Sequence, residues 1–169
     1  MVKRILPSLF AIILTTCTLD PVHDKAVADL GPESPGVAPG PLHRPNQPCL
    51  TCHDGSTGTA MSVGGTVYGV LGDATPLEGA SVTLTDATGS VFAATTNAAG
   101  NFYVAKTDWQ PTYPLHAEVA LRDVTIAMNT IIGRDGSCAS CHVDPASRIS
   151  AGRIYLVPVA ALLPDGGSP

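Results

Sequence analysis

From about residue 62 onward, apolar and polar positions alternate in short runs instead of recurring every three or four residues. In Ser81-Val82-Thr83-Leu84-Thr85 the two apolar side chains fall on one face and the three hydroxyls on the other, the period of a half-buried strand. The same reading predicts extended segments over 63–70, 80–85, 90–96, 101–105, 115–121, 124–128 and 153–158. Turn signals at Asp86-Ala87-Thr88-Gly89 and Asn97-Ala98-Ala99-Gly100 separate neighbours in this series. Short strands at such spacing predict a mainly β chain folded as a small seven-stranded sandwich. In the 115–121 segment the alternation puts His116 with Glu118 on the solvent face, opposite Leu115, Ala117, Val119 and Leu121.

Three stretches within this region carry a family resemblance. Gly65-Thr66-Val67-Tyr68, the run from Pro76 to Leu84, and the run from Thr95 to Phe102 resemble the carboxypeptidase regulatory-like, transthyretin-type sandwich over about residues 62–128. The resemblance implies an Ig-like or transthyretin-like scaffold that is non-catalytic, so any chemistry comes from outside it.

Ahead of the strands the pattern changes twice. Lys3 and Arg4 precede an apolar run from Ile5 to Leu14, too short for a permanent membrane span and suited to an export signal. Leu14-Thr15-Thr16-Cys17 resembles the lipobox of bacterial lipoproteins, although Thr16 departs from the small residue usual there. The resemblance implies a signal peptide over 1–16, acylation of Cys17 and a membrane held through the lipid anchor. Thr18 in place of an aspartate favours the outer membrane, on its periplasmic or cell-surface side. The competing cleavage, after Ala26-Val27-Ala28, fits the A-x-A rule but lies far from the apolar run. Residues 17–48 are rich in Pro and Gly with little apolar periodicity, the composition of an extended tether.

At 169 residues the chain has room for one domain with a core, and a 14% charged fraction with net charge −5 excludes a nucleic-acid partner.

The chemistry rests on two five-residue runs, Cys49-Leu50-Thr51-Cys52-His53 and Cys138-Ala139-Ser140-Cys141-His142, which take four of the five cysteines. Two thiols separated by two residues can each add to a vinyl group of one haem, and the histidine that follows can ligate its iron. A zinc site is disfavoured because the interval 53–137 far exceeds the roughly 15–20 residues of a zinc-ribbon spacing. A disulfide within each motif, or between them, would leave both histidines unexplained. The runs match c-type cytochromes directly. That resemblance implies two covalently attached haem c groups, with Cys49, Cys52, Cys138 and Cys141 as thioether residues and His53 and His142 as proximal ligands. The helix-rich haem domains of such proteins are missing from this sequence. The resulting organisation is a first haem-binding segment at 49–61, the sandwich at 62–133, and a second haem-binding segment with the final strand at 134–169.

His116, His43, Met128 and Met61 are the distal candidates, His23 being set aside as part of the tether. His43 stands six positions before Cys49, which suggests the other haem or a neighbouring subunit in preference to its own. Scattered arginines and few spare histidines do not furnish a catalytic distal pocket, so the chain reads as an electron carrier and not an enzyme. Its expected partners are redox proteins or other multihaem cytochromes, with self-association into a chain of haems as a further option. A haem peroxidase or ligand sensor with one open iron position is the alternative, and a haem-free adhesion module follows from the sandwich alone.

Overall fold

The computed structural model describes residues 20–157 apart from Ser34 and Ala38. Within them β1 (Met61–Val70) is the centre of a three-stranded sheet, antiparallel to β4 (Asn101–Ala105) on one side and parallel to β7 (Ile154–Val157) on the other. The second sheet is antiparallel, with β2 (Ser81–Thr85), β3 (Val91–Thr95), β5 (His116–Leu121) and β6 (Val124–Ala127) in the order β3-β2-β5-β6. The chain is therefore mainly β, with two sheets and one α-helix among the described residues. Each segment expected from the alternation is a strand, with ends shifted by a residue or two.

One apolar core joins the sheets. Val82, Leu84 and Val119 face it from the four-stranded side, and Val63, Val67, Phe102, Val104 and Leu156 from the three-stranded side. Burial of each such side chain contributes about 1.5–3 kcal/mol, so these positions fix the register. The turn after β2 is pinned by Asp86, whose carboxylate accepts from the backbone N–H groups of Thr88, Ser90 and Thr112. Asn97 plays the same part before β4, accepting from the N–H groups of Ala99 and Asn101.

The Pro/Gly-rich segment departs from the extended course expected of it. Asp20 caps helix α1 (Pro21–Asp29), accepting from the N–H groups of Val22 and His23, and Pro21 occupies the first turn, where a missing N–H costs nothing. Farther on, Asn97 donates to the Pro41 carbonyl at 2.7 Å, Asn101 to the His43 carbonyl at 3.0 Å, and the Asn46 N–H to Thr66 Oγ1 at 2.8 Å. The residues just ahead of Cys49 are thereby laid onto the outer face of the three-stranded sheet. No described helix is long and apolar enough to cross a membrane. Cys17 and the expected signal lie outside the described residues.

Candidate functional site

Both Cys-x-x-Cys-His runs fold into the same turn. Cys49–Thr51 and Cys138–Ser140 are single 3₁₀ turns, each entered through an extended residue, Pro48 or Ser137, and left through a cysteine in the right-handed helical region. In the first, the N–H groups of Cys52 and His53 donate to the Cys49 carbonyl at 3.2 and 3.0 Å. In the second, Cys141 and His142 donate to the Cys138 carbonyl at 3.1 and 2.9 Å. The tight turn sets the two cysteines and the histidine of each run on one short loop of backbone.

The histidines are oriented alike. His53 donates from Nδ1 to the Thr59 carbonyl at 3.1 Å, and His142 from Nδ1 to the Gly152 carbonyl at 3.0 Å. A carbonyl can only accept, so the proton sits on Nδ1 and the Nε2 lone pair is left for a metal. Chains lying farther along supply both acceptors, and neither was visible in the spacing of the runs.

The thiols are free in all four cysteines. Cys49 rests on Gly64 of β1, and Cys138 on Gly65. The Gly64 N–H donates to the Gly136 carbonyl at 3.0 Å, and Ser137 pairs with Gly64 as an extra parallel bridge, which holds the second turn against β1. Burial pushes the Cys49 thiol above its ordinary value and the Cys138 thiol up to about 12, with the charge of the neighbouring Cys49 acting on Cys138 in the same direction. Both thus stay protonated and poorly reactive toward exchange or oxidation at neutral pH.

A cavity of about 360 Å³ opens beside the first turn, on the outer face of β1 and β4. Cys49, Cys52 and His53 line it, together with His43, Met61 and Tyr103. His43 is not kept away from its own motif, because residues 40–48 fold back over the sheet. Its ring stands 5.7 Å from that of His53, with the planes 30° apart, and its Nδ1 engages the Gly40 carbonyl. His23, which the composition of its segment hid, touches the same turn from α1: Nε2 donates to the Thr51 carbonyl at 2.8 Å and lies 3.6 Å from an Asp54 carboxylate oxygen. The helix signature Asp20-Pro21 was the signal that could have placed it.

The second turn is more open. Cys141 is exposed, and Ile149 in the loop that follows is 92% exposed. Arg153 packs over Tyr68, 4.7 Å from the ring centroid, and pairs with Asp144 at 3.1 Å. Two buried polar atoms flank this turn without partners among the described residues, Ser137 Oγ and Arg153 Nε. His116 and Met128 lie elsewhere: His116 is exposed on β5 opposite Thr85, and Met128 follows β6 with its N–H on the Ala117 carbonyl. Among the described residues no three His, Cys, Asp or Glu side chains converge on a point where they could hold a metal ion.

Two thiols and an imidazole with its Nε2 unengaged are the residue types that could hold a haem through two thioether bonds and one axial nitrogen. At the first turn Cys49, Cys52 and His53 border the cavity.

No protein-family model, curated protein or solved structure matches the chain.

Proposed function

We propose that the chain is an exported dihaem c-type cytochrome that passes electrons in the bacterial envelope or at the cell surface, built on an Ig-like or transthyretin-like sandwich and anchored through an acylated Cys17. The observation that carries this reading is the duplicated turn, in which both runs present two thiols and a histidine whose Nδ1 is already held by a backbone carbonyl. When bound, haem supplies one-electron redox chemistry at its iron. Cys49, Cys52, Cys138 and Cys141 would hold it through thioether bonds, each thiol hydrogen passing to the other carbon of the vinyl group, and His53 and His142 would supply the proximal nitrogens. His43, in the first cavity with its Nδ1 engaged, is the distal candidate there, and Met61 lines the same space.

A peroxidase or ligand-sensing reading draws on the second turn. Among the described residues no histidine other than His142 and no methionine reaches it by hydrogen bond or ring contact. The two readings part on spin state. Two low-spin irons with slow carbon monoxide binding support the carrier, whereas prompt stoichiometric binding at one iron with peroxide turnover supports the alternative.

A further inference from the structure

We infer that Gly64 and Gly65 are positioning residues for the two motifs. Bare of side chains, they seat the first cysteine of each motif on opposite faces of β1 and so fix the groups those motifs hold as a neighbouring pair. The identity of the groups rests on the haem reading above; the seats rest on geometry alone.

Glycine weakens the interior of a strand unless another chain must come close. Neither residue has a positive φ, so backbone conformation does not call for glycine at either position. Close approach does. A Cβ on Gly64 would stand 3.0 Å from Cys49 Cβ and 3.1 Å from its Sγ, while the next atom, the Phe102 carbonyl oxygen, lies at an ordinary 3.7 Å. On Gly65 it would stand 2.8 Å from Cys138 Cβ, 2.9 Å from Sγ and 2.9 Å from Phe102 Cε1. Gly69 in the same strand meets only Leu77, at 4.0 Å. Successive strand residues face opposite sides, and consecutive Cα atoms are about 3.8 Å apart. A first cysteine from each motif is therefore anchored across the thickness of one strand.

Gly64→Ala and Gly65→Ala in the full chain test the seats. In protein made without haem attachment, Gly64→Ala is expected to speed alkylation of Cys49 alone, and Gly65→Ala that of Cys138 alone. In protein made with attachment, each variant is expected to lose one haem mass, from the matching motif. The unmutated protein with two haem masses is expected to show a bisignate circular-dichroism signal in the Soret band, lost when Cys49→Ala and Cys52→Ala empty the first motif. Should Gly64→Ala fold poorly, adding Cys49→Gly is expected to restore the lost thermal stability, because the cysteine is what the new methyl meets. Unchanged alkylation and loading in both variants, no recovery in the double variant, or a doubly loaded protein whose spectrum is only the sum of its single-site forms would overturn the inference. Site-selective alkylation in a chain that never acquires haem would instead uphold the seats and refute the haem reading.

Discussion

Cys49 and Cys138, drawn from opposite ends of the folded chain, lie against consecutive residues of β1, one on each face of the strand. Their thiols are close enough that the charge of one makes the other harder to ionise. Burial and this proximity lead to an order of reactivity. In protein made without haem, Cys141, which is exposed, is expected to alkylate first, and Cys138, whose thiol stands at about 12, last. Mass mapping over a time course measures it, and equal rates at the two positions would contradict the packing.

His43 gives a spectroscopic prediction. Its place beside His53 in the first cavity means that His43→Ala is expected to leave both haems attached while turning one of them high-spin and open to carbon monoxide. His116→Ala, on the exposed face of β5, is expected to leave the spectrum of the isolated chain unchanged. The reverse pattern would move the distal ligand to His116.

Asp86 links the scaffold to pH. Hydrogen bonds from the Thr112 N–H first, then from Thr88 and Ser90, hold its carboxyl down to about 2, against 3.8 for an unperturbed aspartate. A carboxyl lowered on folding stabilises the fold above its unfolded value, and that contribution is lost as pH falls through the folded one. The melting temperature is therefore expected to drop between about pH 4 and pH 2, and less steeply in Asp86→Asn, whose melting temperature at neutral pH is expected to be lower from the start. Parallel thermal melts across that window check the difference.

Cys17→Ala tests the proposed anchor. Each acyl CH₂ buried in a membrane contributes about 0.8 kcal/mol, so if Cys17 is acylated the substitution is expected to move the protein from the membrane fraction to the soluble one or to leave it unprocessed. Membrane association with an unchanged mature mass would exclude lipoprotein processing.

Most of the β framework was legible because alternation such as Val82 and Leu84 against Thr83 maps directly onto a two-faced sheet. That both runs fold as one repeated turn follows from their shared five-residue pattern, which is local. Their relation to each other was not. Gly64 and Gly65 carry no side chain to join a hydrophobic pattern, and what they accommodate arrives from residues 49 and 138 through tertiary packing. Helix α1 was obscured by the prolines around it, although Asp20-Pro21 marks its start, and with it the contact of His23 on Thr51 was lost to a composition argument. The fold-back of His43 depends on Asn97 and Asn101 capturing carbonyls of the preceding segment, a long-range event that spacing alone does not encode.

The most direct test of the account is the intact mass of the full chain after expression with haem-attachment machinery and extraction with acidified organic solvent. The duplicated turn predicts a polypeptide that retains two haem masses, falling to one in either Cys52→Ala or Cys141→Ala. A polypeptide of unmodified mass, with haem absent or released into the organic phase, would contradict the cytochrome reading.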